Sequence, residues 1–308
     1  MSEHRYYPVP NQFEETRVDV VVAKMTGMSR SKAAALVEAG AVTVDGAKAA
    51  KSVRVSSGQV LEVDVPDPRP IGPVPTPADL PILYEDADLV VVNKPAGMTA
   101  HPSLNFEGPD VLGALMAAGR QLSDYGPPER RGIVHRLDVG TSGCMVVAKS
   151  RRAYISLKQQ FRDRTVEKIY HAVVQGHPDP LAGTIDAPIG RDYRHQWKMA
   201  IREGGRHAVT HYSTLEAMAG GTLLRVHLET GRTHQIRVHM SAVGHPCAGD
   251  EMYGADPTLS ARLGLTRQWL HAVHLGFTHP DGSWRTFDST YPEDLERALE
   301  LLRDGVFK

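Results

Sequence analysis

The stretch that decides the fold is "RRGIVHRLDVGTSGCMVVAKS", residues 130–150. It holds a lone acid, Asp138, between Arg136 and a run of small residues, then passes into an unbroken apolar segment. "GCMVVAKS" reads as a short buried strand, because a continuous apolar run of this length with β-branched residues needs cover on both faces. The acid therefore lies in a loop that feeds a core strand. Gly140, Ser142 and Gly143 suit a tight turn with close approach of the backbone to a ligand. Ser142 is the other candidate nucleophile, but no G-x-S-x-G elbow surrounds it, which argues against a serine hydrolase. Read alone, Asp138 does no more than cap a turn.

Working outward, "ILYEDADLVVVNKPAGMTAHP" (82–102) gives two strand-like runs around an acidic turn, with "KPAG" as a rigid turn. "YHAVVQG" (170–176), "TLLRVHLETG" (222–231) and "WRTF" (284–287) are further strand candidates. Helices are fewer, at roughly 151–163, 233–243 and 292–303. In the last of these, Leu295, Ala298 and Leu302 mark an apolar face. In the second, Thr233 suits an N-cap, Ile236, Met240 and Val243 face the core, and Gly244 with Pro246 ends the helix. Arg237 lies one position off that stripe, where a cation needs a carboxylate partner. Strands outnumber helices without strict alternation. The reading is α+β, with a large mixed, mostly antiparallel sheet flanked by helices and loops over residues 81–308.

Toward the N-terminus, residues 1–13 read as a flexible tail. Residues 14–66 read as a small compact α/β unit. Ser29 caps a helix that runs to Gly40, Asp45-Gly46 turns a short strand, and Leu61, Val63 and Val65 alternate with Glu62 and Asp64 along a half-buried strand. "PDPRPIGPVPTPADLP" (66–81) carries seven of the 21 prolines, so residues 67–80 read as an extended, semi-rigid linker.

Composition excludes several classes. The 308 residues are 41% hydrophobic and 23% charged, with no apolar run of the ~20 residues that a membrane span needs. The start lacks the apolar segment of a secretory signal, and the two cysteines, Cys144 and Cys247, form no framework, so the expected setting is the cytoplasm. His234 and His239 are five apart and His271 and His274 three apart; no set among the 15 histidines matches a zinc pattern, and no metal is expected. Net charge is −1, yet residues 131–170 hold nine Lys/Arg against three acids, a local excess that suits phosphate.

Three stretches then fall into one pattern. "HRLDVGTSG", "EKIYHAVVQG" and "LETGRTHQIRVHMSAVGHPCAGDEMYG" resemble the signature motifs of the RluA/RluD-type pseudouridine synthases, in order and spacing. Residues 82–102 resemble the opening strands of their catalytic domain, and residues 17–65 resemble an S4 RNA-binding domain. The resemblance spans about residues 17–290, and the two-domain order is similar to the branch that modifies large-subunit rRNA.

The resemblance implies an isomerase that turns specific uridines of 23S-type rRNA into pseudouridine. Asp138 matches the catalytic aspartate. Tyr170 matches the tyrosine that stacks on the target uracil and is the favoured acceptor of the C5 proton. Arg237 matches the arginine paired with the aspartate, and Arg136 the arginine that enters the RNA helix as the uridine flips out. His135, Arg232 and His234, in the same motifs, fall among the RNA-binding residues, as do Arg17, Arg30 and Lys32 of the S4-like unit. The family commonly has Lys-Asp where this chain has Val139-Gly140, so a local charge pair is missing. Isomerisation neither oxidises nor hydrolyses, so no cofactor is expected. The carboxylate would act either as nucleophile at C1′ or as base at the 2′-position to give a glycal. The expected partner is ribosomal RNA, in a pre-ribosomal particle, with the protein a monomer away from membranes. Two alternatives stand beside this: a tRNA pseudouridine synthase, and an RNA-binding or ribosome-assembly factor whose catalysis is dispensable.

Overall fold

The alternating strand at the end of the first unit organises everything before it. In the computed structural model, which describes residues 2–66, 72–103, 106–195 and 197–305, the chain divides into units of residues 1–70 and 71–308. The first contains β1 (Ser2–Pro8), β2 (Thr16–Arg17), α1 (Val18–Thr26), α2 (Arg30–Glu38), β3 (Val42–Val44), β4 (Ala47–Lys48), β5 (Arg54–Val55) and β6 (Val60–Pro66). Leu61 and Val63 of β6 meet Val18, Val21 and Val22 of α1 and Ala33 and Val37 of α2 in one core. Ser29 caps α2, accepting from the Lys32 N–H at 3.4 Å, and Gly40 follows its end in the left-handed conformation (φ +71°).

The expected flexible tail at 1–13 is overturned. Residues 2–8 are β1, an edge strand antiparallel to β6 from Ser2↔Pro66 to Pro8↔Val60. "SEHRYYP" lacks apolar alternation, so its order comes from backbone pairing and from Val9, which is buried in the core.

The second unit runs β7 (Ile82–Glu85), β8 (Leu89–Lys94), α3 (Val111–Ala117), β9 (Ser142–Ala148), α4 (Arg151–Asp163), β10 (Glu167–Gln175), β11 (Ala182–Asp186), β12 (Ile189–Arg191), β13 (Met199–Ile201), β14 (Val209–Met218), β15 (Gly221–Leu228), α5 (Gln235–Ala242), α6 (Pro257–Arg262), β16 (Leu270–Thr278), β17 (Trp284–Asp288) and α7 (Glu293–Arg303). Nine of these strands form one sheet in the order β11-β14-β15-β10-β16-β9-β8-β7, with β17 also on β16. Every pair in it is antiparallel except β9 with β16. β16 is forked: His271 and Ala272 pair with β9, and His274–Thr278 pair with β17. Strands β8 and β9 bury both faces. Val90, Val92, Met145 and Val147 point into one cluster, and Leu89, Val91 and Val146 into another with Leu157 of α4 and Phe277. That explains their unbroken apolar reading.

Residues 67–71 of the expected linker lie outside the described residues. Residues 72–80 do not form a free spacer: the Thr76 N–H donates to the Gly113 carbonyl of α3 at 3.0 Å, and Ala78 and Leu80 pack on the main core. The hairpin β12–β13 forms its own two-stranded sheet. Among the described residues, no helix is long and apolar enough to cross a membrane.

Candidate active site

The loop before β9 carries Asp138, and the fold fastens that loop from below. The Lys94 ammonium, at the end of β8, is fully buried and donates to the carbonyls of Pro95 (2.8 Å), Met98 (2.7 Å) and Val139 (3.4 Å). The Gly97 N–H also reaches Val139 (2.9 Å), Arg267 donates to the Gly140 carbonyl (2.9 Å), and Gln268 donates to the Thr141 hydroxyl (3.1 Å). Burial pulls the Lys94 ammonium down to about 7, against the attraction of Asp138.

The small residues beside Asp138 do a different job from the one expected. Gly143 (φ +118°) lies against β16, where a Cβ would collide with the Ala272 carbonyl. Ser142 is buried and bonds His271 Nδ1 at 2.8 Å. Their close approach is to a neighbouring strand rather than to a ligand, and a buried serine engaged with a histidine that also bonds Ser289 is not an exposed nucleophile.

Asp138 itself is half-buried, with its side chain 16% exposed, and among the described residues its carboxylate accepts no hydrogen bond. Two groups approach Oδ2: Arg237 Nη1 at 3.6 Å and His234 Nε2 at 4.0 Å. Tyr170 lines the same cleft. It stands on β10 opposite Val226 of β15, at a register shift against β16 that falls between Ile169 and His171. Such an irregularity re-aims a side chain. Burial, with Asp138 adding to it, raises the Tyr170 phenol above its ordinary value.

Arg237 differs most from expectation. Its two short hydrogen bonds go to Asp250, Nε to Oδ2 at 2.6 Å and Nη2 to Oδ1 at 2.8 Å, and its guanidinium lies over the Tyr253 ring, 4.9 Å from the centroid. The carboxylate partner required by its position is thus Asp250, with Asp138 as a more distant second. The helix cap also differs. α5 begins after His234, not Thr233; His234 is left-handed (φ 57°) and makes no side-chain cap bond. Its Nδ1 lies 2.8 Å from the Tyr253 hydroxyl instead.

Arg136 is exposed and, among the described residues, makes no hydrogen bond or ion pair. Arg232 is pinned by the His207 carbonyl (2.9 Å). An adjoining cleft holds Arg164, Lys168, Arg206 and Arg232 with Glu229. Burial and the nearby Arg164 and Arg232 bring Lys168 down to about 8. His135 is committed to the fold: Nε2 accepts from the Val146 N–H (3.0 Å), its ring stacks on Phe161 (4.6 Å), and burial, with Lys168 and Lys158 nearby, holds it at about 3.

In the first unit, Arg17 and Arg30 both bond Asp19, which is buried at 2% exposure (Nε at 2.9 and 3.1 Å). Lys32 is exposed and without a side-chain partner among the described residues.

The RNA pseudouridylate synthase family profile matches residues 88–242, and the S4 domain profile residues 16–61. The chain belongs to the RNA pseudouridylate synthase family. It is 57% identical over 302 residues to an RNA pseudouridine synthase of Mycobacterium tuberculosis (strain CDC 1551 / Oshkosh), covering 97% of this chain and 98% of that one. It is 40% identical over 297 residues to ribosomal large subunit pseudouridine synthase D of Zymomonas mobilis, covering 93% of each. Among solved structures, human RNA pseudouridylate synthase domain containing 4 aligns with a TM-score of 0.57 at 28% identity, over 72% of this chain and 93% of that one.

The synthase thus brings Asp138, Tyr170, Arg136, Arg232, His234 and Arg237 to one cleft. Sequence reasoning missed Lys94, Asp250 and Tyr253. Asp250 and Tyr253 lie within the third signature stretch, 13 and more residues past Arg237, so their spacing fits no helical period. Lys94 was visible only as part of a turn. One group with metal-ligand character, Asp86, Asp88 and His279, clusters within 4.8 Å among the described residues. Its carboxylates are already engaged, Asp88 by Ser150 and Arg152, and Asp86 by Tyr84 and two backbone N–H groups.

Proposed function

We propose that this synthase isomerises uridines of large-subunit rRNA, in the cytoplasm and as a monomer, with Asp138 as the reacting carboxylate. The observation that carries the reading is the Asp138 carboxylate: half-buried, free of hydrogen bonds among the described residues, facing a cleft, with guanidinium and imidazole 3.6 and 4.0 Å away. A carboxylate left without a fixed donor has its lone pairs free for a ribose. Relatives named ribosomal large subunit pseudouridine synthase D, in Zymomonas mobilis and in Neisseria meningitidis (41% over 306 residues), support rRNA as the substrate. The S4 domain supports RNA docking outside the cleft.

The reaction breaks C1′–N1, turns the uracil and joins C1′ to C5; the C5 proton is lost and N1 gains one, so atoms balance without a co-reactant. Asp138 serves either as nucleophile at C1′ or as base at the 2′-position. Arg237, locked in orientation by Asp250, supplies fixed positive charge beside it. The target base must leave its stack, which costs a few kcal/mol. Arg136, exposed beside the cleft and unpaired among the described residues, fits the gap, where its planar cation stacks and touches phosphate. Burial keeps Tyr170 a neutral phenol, so we assign it the flat face on which uracil stacks. The cations Arg164, Lys168, Arg206 and Arg232, which crowd one another, would gain from phosphate between them.

The test is release of tritium from uracil C5 in large-subunit rRNA, by wild type and by Asp138→Ala. Release by wild type alone supports the reading. Release from tRNA but not rRNA would overturn the substrate, and release by Asp138→Ala would overturn the role of Asp138. Silence on free rRNA with release from a pre-ribosomal particle would place the reaction in assembly.

A further inference from the structure

The residue beside the acid is itself held from behind. His234 occupies a left-handed backbone position (φ 57°, ψ 22°), uncommon for a residue with a Cβ, at the start of a helix that its side chain does not cap. The conformation instead sends the ring into the cleft, edge-on to Tyr253, with ring centroids 5.6 Å apart at 82°. Nδ1 is 2.8 Å from the Tyr253 hydroxyl, and Nε2 is 4.0 Å from Asp138 Oδ2.

The hydrogen-bond partners favour one direction for this chain. The Tyr253 oxygen already accepts from the Met199 N–H of β13 at 3.0 Å. Its one proton is left for the other polar neighbour, and His234 Nδ1 is placed to accept it. Burial lowers the His234 imidazole below its ordinary value, so the ring is neutral and carries its proton on Nε2. That proton faces Asp138.

The geometry points to Tyr253 and His234 as positioning residues for the isomerisation: Met199 N–H to Tyr253 O–H to His234 Nδ1, with His234 Nε2–H presented to the Asp138 carboxylate. Arg237 spends Nε and Nη2 on Asp250 and faces Asp138 with Nη1 alone, 3.6 Å from Oδ2. The Nε2–H supplies a second, differently directed donor, and the 4.0 Å gap closes when the ribose draws the carboxylate into place. Tyr253 sets the tautomer and His234 delivers it. This inference rests on Asp138 being the reacting group.

The test has two readouts. In protein labelled with ¹⁵N at histidine, the His234 ring should show the Nε2–H tautomer, and Tyr253→Phe, which keeps the ring over Arg237, should mix the tautomers. The same variant should lower the single-turnover rate at saturating RNA roughly 10- to 100-fold, with RNA affinity unchanged within about two-fold. His234→Gln, whose amide can offer an N–H at a similar place, should keep more activity than His234→Leu. An Nδ1–H tautomer in wild type, or wild-type turnover by Tyr253→Phe, overturns the relay. The tautomer is read on unsubstituted protein, so a variant that fails to fold leaves the test intact. Asp138→Asn separates the two ideas. If it is active, the role of Asp138 fails and the tautomer result stands. If it is dead while Tyr253→Phe is fully active, only the relay fails.

Discussion

Both units pair arginine with a buried aspartate, and they use the pairing differently. In the first unit, Asp19 draws in Arg17 and Arg30, whose side chains stay 39% and 61% exposed. In the second, Asp250 holds Arg237, and both are buried. The first pair can release its cations to water; the second cannot. The first arrangement therefore tempers surface charge, whereas the second fixes one cation beside Asp138. Lys32 and Arg136 are the contrast within each unit, exposed cations without an anionic partner among the described residues.

The sharpest break of this comparison is at the acid that the buried pair serves. Asp138→Asn should lose isomerisation by on the order of 10³-fold or more while RNA binding, measured by filter retention, is kept. Next comes stability. Arg237→Met leaves Asp250 as a buried, unpaired charge and should cost about 3–5 kcal/mol in urea unfolding of the second unit. Arg17→Ala leaves Asp19 still bonded to Arg30, and should cost about 1 kcal/mol or less. Equal losses would erase the distinction between the pairs.

His135 gives a pH-dependent version. Its folded value, about 3, lies below the unfolded value near 6.5, so the unfolded chain takes up the proton first as pH falls. Its contribution is full above pH ~6.5 and is lost as pH falls toward 3. Between pH 7 and pH 5, wild type should lose about 2 kcal/mol more than His135→Gln, which keeps an acceptor for the Val146 N–H. Parallel pH profiles for the two proteins would mean that His135 protonates in the fold.

The smallest effects sharpen the contrast between free and tethered cations. Arg136→Ala and Lys32→Ala should each reduce the salt slope of RNA binding by about 1. Arg17→Ala should change it by clearly less, since that charge is shared with Asp19. A slope change at Arg17 as large as at Lys32 would show that RNA pulls the arginine off its partner.

What was legible in the sequence was what a local pattern can carry. The cap at Ser29, the doubly buried strands β8 and β9, and the helices at α4 and α7 all follow from period and capping residues. The edge strand β1 was not, because its order comes from pairing with a strand more than fifty residues away. Helix α3 was missed because Gly113 interrupts a short run, although Asp110 caps it by accepting from the Gly113 N–H. In the site, the signature stretches marked Asp138, Tyr170 and Arg237. The partners that orient them, Lys94, Asp250 and Tyr253, act on atoms that only the folded chain brings near.

The fork in β16 has a consequence for the order in which the molecule is made. The loop of Asp138 runs into β9, and β9 takes its parallel partner from His271 and Ala272, some 130 residues later. Long-range parallel pairing of this kind forms slowly, since the intervening chain must first be brought together. The first unit has its own core, and β6 is the last of its strands, pairing back to β1 and β3. On a ribosome it can finish folding while the strand beneath the acid has yet to be synthesised. The nascent protein thus completes its S4 domain early and sets the Asp138 loop in place late.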